Sequence, residues 1–209
     1  MDNNTTVSST PSLPEINIIY RRESVIRPIV YLIDEHHHHN DSIDDNIRIA
    51  NQLIANNNVR LIGLESHYGG YEYDNGTHRY DYNDYRDPLV NADNTANNCL
   101  RFEQGLVGDN LTLVGVENEG LSSEIEQDVW DKRISSENIS LHVNNIYRSI
   151  HFITTLFEEY RRRNINGNLI LNCGSNHNSH IQMFIEQRII DGITGTPASY
   201  YRIRSEYFP

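Results

Sequence analysis

Four short apolar segments constrain the fold of this 209-residue chain more than any other feature of its sequence. They are "PIVYLID" (28–34), "VRLIGLE" (59–65), "LTLVGVE" (111–117) and "NLILNCG" (168–174). Each is almost continuously apolar, without the alternation of a strand that has one face in water. Strands that are buried on both faces of a parallel sheet have this pattern. Two weaker segments, 16–20 and 199–204, predict further strands.

A helix is predicted between the first two apolar segments. Its apolar residues recur at spacings of three and four along one face: Ile43, Ile47, Ala50 and Ile54. Asp41 or Ser42 is the expected N-cap, because short polar side chains accept hydrogen bonds from the first free backbone N–H groups. A strand, a helix and a second strand in this order form a βαβ unit, whose crossover is expected to be right-handed.

Two further helical patterns lie in the second half of the chain. Residues 123 to about 162 carry apolar residues at helical spacing, which fits one long helix or two shorter ones. A last helix is predicted from about Ser179 to Ile190, with Gly192 as its stop. The expected fold is therefore α/β, a single domain with a mainly parallel central sheet flanked by helices, over residues 15–209. Residues 1–14 read as a disordered tail.

The segment 66–110 does not fit this pattern. Its first half, "SHYGGYEYDNGTHRYDYNDYRDP", is polar and lacks periodicity, although it holds many of the chain's 13 tyrosines. A loop of this length inside a compact domain is usually functional or mobile. Two interpretations remain open: a lid that stacks on a substrate, or a surface loop whose tyrosines pack on the sheet edge.

Charge and composition argue against several classes of partner. The chain has 17 Lys and Arg against 29 Asp and Glu, a net charge of −12, whereas phosphate contacts need clustered cations. We therefore expect no nucleic-acid partner. No apolar run approaches the roughly 18 residues of a membrane span. The N-terminal residues show no secretory signal, so a cytoplasmic location is expected, with export by another route left open.

Side chains capable of acid–base chemistry follow all four apolar segments. Glu35 and His37 follow the first, Glu65 and Glu117 end the second and third, and His177 follows the fourth. Because ligands bind outside the carboxyl ends of parallel strands, we expect these residues to meet at one edge of the sheet. The alternative is that each glutamate is a solvated strand end and that the histidine run "HHHH" is a polar turn.

The same stretches resemble the superfamily of erythromycin esterase-like, ChaN-like haem-binding and TraB/Tiki proteins. Those proteins have a strand ending in Gly-Glu-x-His or Gly-x-x-His, a second strand ending in Glu, and a late strand followed by Gly-x-x-His. The corresponding stretches here are "IDEHH" (33–37), "LIGLE" (61–65) and "NCGSNH" (172–177). The resemblance extends in short islands from about 28 to 204. Asp34 stands where these relatives usually have glycine.

The resemblance implies a polar core formed by Glu35, His37, Glu65 and His177. The histidine run leaves open which imidazole matches, with His36 and His38 as alternatives to His37. The stretch "VWDKRISSEN" (129–138) resembles a helix segment that carries an arginine in relatives, which indicates Arg133. Glu117 matches a further strand that ends in an acidic residue. Arg133 and Glu117 are expected to support the core.

Three kinds of chemistry remain open for these residues. In the first, His37 or His177 is the general base on water, and a glutamate orients it. In the second, Glu35, His37, Glu65 and His177 bind a divalent metal ion that activates water. Both imply a hydrolase for a small-molecule or peptide substrate. In the third, the protein binds haem or a metal without turnover, as ChaN-like proteins do.

Overall fold

The computed structural model describes residues 16–25, 28–36, 39–68, 101–117 and 139–208. These residues form six strands and five helices of one α/β unit. The elements are β1 (Ile18–Arg22), β2 (Ile29–Glu35), α1 (Asn40–Asn56), β3 (Val59–Tyr68), α2 (101–105), β4 (Thr112–Glu117), α3 (Ile139–Arg162), β5 (Asn168–Gly174), α4 (Ser175–Glu186), α5 (Ile189–Thr194) and β6 (Ser199–Arg204).

The strands form one sheet in the order β1-β6-β2-β5-β3-β4. The five strands from β6 to β4 are parallel to one another, and β1 pairs with β6 in the antiparallel direction. The four apolar segments are β2, β3, β4 and β5, and the two weaker segments are β1 and β6. The predicted α/β fold with a mainly parallel sheet is confirmed.

Both faces of the sheet are buried, which explains why the central strands lack apolar–polar alternation. Along β2, Val30 and Leu32 belong to a core with the apolar face of α3 and α4, whereas Tyr31 and Ile33 belong to a core with α1. Successive side chains of a strand point to opposite faces, so a strand covered on both sides must be apolar throughout.

The helix ends differ from the sequence prediction. Helix α1 has His39 as its N-cap, whose Nδ1 accepts from the backbone N–H of Ser42 at 3.4 Å. The expected caps, Asp41 and Ser42, lie inside the helix. The predicted helix 179–190 is two helices, α4 and α5, and Gly192 lies inside α5 rather than at its end.

The backbone shows why the last helical region divides. Arg188, between α4 and α5, has a left-handed φ of 59°, which a continuous helix cannot contain. Gly195 has φ 64° and ends α5 in the conformation that favours glycine. Helix α4 begins four residues before the predicted start. Its first turn is polar and therefore shows no apolar periodicity, although His177 and Asn178 in it are buried.

The segment 66–110 is described only at its two ends. Strand β3 continues to Tyr68, three residues into the predicted loop, and residues 101–105 are helical. The remainder of the tyrosine-rich segment, the tail 1–14 and the stretch 123–138 lie outside the described residues. Among the helices of the described ranges, none has the length and apolar character that crossing a membrane requires.

Candidate functional site

Four neighbouring strands end at one edge of the sheet, and three of them, β2, β3 and β4, bring acidic side chains there. Strands β2, β5, β3 and β4 are adjacent, and Glu35 is paired in register with Gly174. The pairing of β3 with β4 shifts register between Leu64 and Tyr68, so that Glu65 lies where the regular ladder ends. Irregular strand pairing of this kind re-aims a side chain away from its regular position.

Arg148 of α3 joins two of the predicted acidic residues. Its Nε donates to Oε1 of Glu117 at 3.1 Å, and its Nη2 donates to Oε2 of the same carboxylate. Nη2 also lies 3.3 Å from Oε1 of Glu65. Burial lowers the pKa of Arg148, but the hydrogen bond to Glu117 and the charges of Glu117 and Glu65 outweigh it, so the pKa is raised. The guanidinium therefore stays charged between the two carboxylates.

Glu65 connects Arg148 with the start of α4. Its Oε2 accepts from the backbone N–H of Gly174 at 2.6 Å, and its Oε1 lies 3.3 Å from Nε2 of His177. A carboxylate at a helix N-terminus is favoured by the helix dipole. The side chain is largely buried, so these interactions are poorly screened by water.

His177 is held on both sides of its ring. Its Nδ1 lies 2.8 Å from Oγ of Ser149, and the ring packs on Phe152 with centroids 4.8 Å apart. Oγ of Ser149 also lies 3.0 Å from Nδ1 of His180 and 2.7 Å from the carbonyl oxygen of Asn145. The imidazole therefore has one orientation, set jointly by α3 and α4.

The other predicted residues lie elsewhere or outside the described ranges. Glu35 lies across β5 from Glu65 and accepts a hydrogen bond from Nδ2 of Asn172. His37, His38 and Arg133 are outside the described residues. The ring of His36 packs edge-on against Phe208 and His39, with centroids 5.6 Å and 6.1 Å away. The structure thus brings together Glu65, Glu117 and His177 of the predicted set.

Asp34, the residue before Glu35 in β2, forms a second buried network. Its carboxylate is fully buried and accepts from Nε and Nη2 of Arg202 at 2.8 and 2.9 Å. Arg204 donates to it at 2.9 Å, and Nδ2 of Asn178 donates at 3.0 Å. Asp34 therefore connects β2, β6 and α4 below the carboxyl edge.

Arg148, Ser149 and His180 were not among the residues predicted from the sequence. The available signal was their position: Arg148 is three residues before His151 and four before Phe152, on the face of α3 that enters the core. A charged residue on the apolar side of a helix needs a buried partner. The second missed arginine, Arg202, lies inside the buried strand β6 and carries the same signal.

The described side chains do not fit a divalent metal. Within the ranges that the structure describes, no three His, Cys, Asp or Glu residues are grouped so that they could hold a metal ion. Glu65 and Glu117, the acidic residues that meet, share the guanidinium of Arg148. A cation placed between them would have to displace this guanidinium.

Comparison with known proteins returned no relative. No protein-family model, curated protein or solved structure matches the chain. The fold and the site define an α/β protein with a buried acid–base cluster at the carboxyl edge of its parallel sheet.

Proposed function

We propose that the chain is a hydrolase in which His177 is the general base that activates water. The proposal rests on one contact: Nε2 of His177 lies 3.3 Å from Oε1 of Glu65. An imidazole that takes a proton from water becomes an imidazolium, and a neighbouring carboxylate stabilises that product. The motif resemblance to erythromycin esterase-like proteins supports the same class of reaction.

Arg148 and Glu117 support this role through electrostatics. Arg148 fixes the carboxylate of Glu65 from α3, and Glu117 holds Arg148 with a two-point contact. The cluster combines two carboxylates with one guanidinium. A proton taken up by His177 adds a second positive charge beside them, which is favourable in a site of low dielectric constant.

The position in the fold supports the proposal independently. Ligands of open parallel sheets bind outside the carboxyl ends of the strands. Glu117 is the last residue of β4, and Glu65 lies in the last part of β3, three residues before its end. We expect the substrate to have a hydrolysable carbonyl group, as in a small ester, a lactone or a peptide. Arg133 and His37 lie outside the described residues, and the proposal depends on neither of them.

The test is hydrolysis by the full chain on a panel of nitrophenyl esters, lactones and fluorogenic peptides. His177→Gln is expected to lower kcat by about 100-fold to 10,000-fold, the usual contribution of a general base. His151→Gln is the matched control, since His151 lies on α3, the helix that carries Arg148, but contacts Thr155, at 3.3 Å. Equal rates for both variants and the wild type would contradict the proposal.

The same preparations test the competing function. Natively purified protein is examined for metal content and for a haem absorption band, beside His177→Ala. If wild-type protein contains a near-stoichiometric metal or shows a haem band, and His177→Ala has lost it, the general-base proposal is contradicted. The function is then binding of that metal or haem. Hydrolysis that survives treatment with a chelator would support the proposal.

A further inference from the structure

The hydroxyl oxygen of Ser149 has three hydrogen-bond partners, but the hydroxyl has only one hydrogen to donate. Its Oγ lies 2.7 Å from the carbonyl oxygen of Asn145, 2.8 Å from Nδ1 of His177 and 3.0 Å from Nδ1 of His180. A serine hydroxyl donates one hydrogen and accepts at two lone pairs. With three partners, at least two of them must donate to Oγ.

The carbonyl of Asn145 decides where the hydrogen of Ser149 goes. A carbonyl oxygen can only accept, and 2.7 Å is the ordinary length of an O–H···O hydrogen bond. Without a hydrogen between them, two oxygens at this distance repel each other. Ser149 therefore donates to Asn145, one helical turn earlier, which is a common bond for serine within a helix.

Both imidazoles must then donate to Ser149 from Nδ1. In a neutral imidazole one ring nitrogen carries hydrogen and the other has the lone pair. His177 with hydrogen on Nδ1 has its lone pair on Nε2, the atom that lies 3.3 Å from Glu65. We propose that Ser149 is a positioning residue that selects the Nδ1–H form of His177 and so makes Nε2 the atom that accepts the proton.

This inference rests on the proposed function only for its catalytic consequence. In the cycle, water gives a proton to Nε2 of His177 as its oxygen bonds to the carbonyl carbon of the substrate, and the imidazolium then returns that proton to the leaving group. While it is charged, the ring has one hydrogen on Nε2, the atom near Glu65, and one on Nδ1, the atom near Ser149. His180, which is partly exposed, donates to the other lone pair of Ser149 and holds the hydroxyl in place. Both charges of the resulting ion pair stay inside the cluster.

The same geometry argues against Ser149 as a nucleophile. A serine, a histidine and a glutamate in a row suggest a catalytic triad, but a nucleophile needs a base that takes its hydrogen. Here the hydrogen of Ser149 points to a backbone carbonyl, and both neighbouring Nδ1 atoms carry hydrogen. Ser149 is also fully buried, so a substrate carbonyl has no access to its oxygen.

Nitrogen NMR of the full chain tests the assignment without any substrate. Ring ¹⁵N shifts of His177 and His180 are read at about pH 8, where an ordinary imidazole is neutral, and are assigned with His177→Gln and His180→Gln. The expected result is hydrogen on Nδ1 of both rings. A bare Nδ1 in His177 would overturn the proposal, whether or not the protein is a hydrolase.

The variant Ser149→Ala tests directly whether Ser149 sets the ring form of His177. Once Ser149 cannot accept, Glu65 is the acceptor for the ring, and His177 is expected to move its hydrogen to Nε2. In the hydrolysis assay kcat should fall by about 100-fold with little change in KM, since the lone pair then faces away from Glu65. An unchanged ring form in Ser149→Ala would contradict a positioning role.

Two control variants complete the design. Ser149→Thr keeps a hydroxyl that can bond to the carbonyl of Asn145, and it should restore the Nδ1–H form and most of kcat. Ser179→Ala removes a similar bond within α4, from Oγ to the carbonyl of Ser175 at 2.8 Å, on the exposed side. It should leave both readouts unchanged. If wild-type rings show Nδ1–H but no substrate is hydrolysed, the proposed function fails and the assignment of the ring form stands.

Discussion

Two buried ionic clusters lie near the carboxyl edge of the same sheet, and they differ in composition. The Asp34 cluster consists of Asp34, Arg202, Arg204 and Asn178, and the Glu65 cluster consists of Glu65, Glu117, Arg148 and His177. The first surrounds one carboxylate with two guanidinium groups and an amide. The second places one guanidinium between two carboxylates and adds an imidazole.

We propose that this difference in composition distinguishes a cluster that stabilises the fold from one that takes part in chemistry. Asp34 is fully buried, and each of its four side-chain hydrogen bonds comes from a donor that keeps its hydrogen near neutral pH. The Glu65 cluster contains the imidazole of His177, a type of side chain that can serve as a proton acceptor and a proton donor in catalysis. We infer that the Asp34 cluster holds three elements together, whereas the Glu65 cluster is arranged for proton transfer.

The largest effect on stability is expected for Asp34→Asn. It leaves the buried guanidinium of Arg202, whose side chain is 7% exposed, without its negative partner. Removal of one member of a buried ion pair costs about 3–5 kcal/mol. Urea unfolding of the variant measures this cost. A loss below about 1 kcal/mol would mean that the Asp34 cluster does not hold the fold, and the contrast would disappear.

A large effect on activity with less effect on stability is expected for Arg148→Lys. Lysine keeps the charge but cannot make the two-point contact with Glu117 or reach Glu65 in the same geometry. Loss of a charge-assisted hydrogen bond of about 1.5–3 kcal/mol corresponds to about a 10-fold to 100-fold fall in kcat. Arg162→Lys, at an exposed pair of α3, is the control. Equal kcat values in the two variants would show that Arg148 does not contribute to the activity.

Cys173 lies close to both clusters, and its reactivity tests whether their interior is closed to water. Burial, and then the negative charges of Glu65, Asp34 and Glu35, raise the pKa of its thiol well above the usual value. In a Cys99→Ser variant, the thiol of the folded protein should react with iodoacetamide more than about 10-fold slower than the unfolded chain, since the thiolate is the reactive form. Similar rates in the two states would show that the clusters are open to water.

The smallest effect is expected for Glu159→Gln, a surface reference for both clusters. The hydrogen bond from Arg162, opposed by partial burial and aided by Arg163, lowers the pKa of Glu159 below 4.5. Its stabilisation is therefore present above that ordinary value and is lost as the pH falls through the lower folded value. Unfolding free energies should differ from wild type by about 0.2–1 kcal/mol at neutral pH and converge in acid. A larger difference in acid than at neutral pH would reverse the sign of this contribution.

The fold was predictable where burial alone determines the sequence. Strands covered on both faces must be apolar throughout, so β2 to β5 were recognisable, and their parallel direction placed Glu65 and Glu117 at one edge. Helix α4 was misplaced, because its first turn has polar residues whose burial depends on Asp34 and Cys173 in other elements. Local periodicity contains no information about such partners.

The candidate site was predictable only in part, for the same reason. Glu65 ends the apolar part of β3 and His177 follows β5, so both were recognisable from their positions in the sequence. Arg148 meets Glu65 across 83 residues of sequence, and Ser149 meets His177 across 28, so that only the packing of α3 on the sheet reveals either contact. The metal-binding alternative, with Glu35, His37, Glu65 and His177 as ligands, did not include the guanidinium of Arg148 that lies against Glu65.

The most direct test of the central claim is the rate of ester hydrolysis by Glu65→Gln beside wild type and Glu159→Gln. Glutamine keeps the shape of Glu65 but cannot stabilise an imidazolium, so kcat should fall by about 100-fold or more, while Glu159→Gln stays near wild type. Unfolding by urea in the same samples ensures that the folded protein is compared. If folded Glu65→Gln hydrolyses the substrate at the wild-type rate, the Glu65 cluster is a structural ion pair and the proposed hydrolase site is wrong.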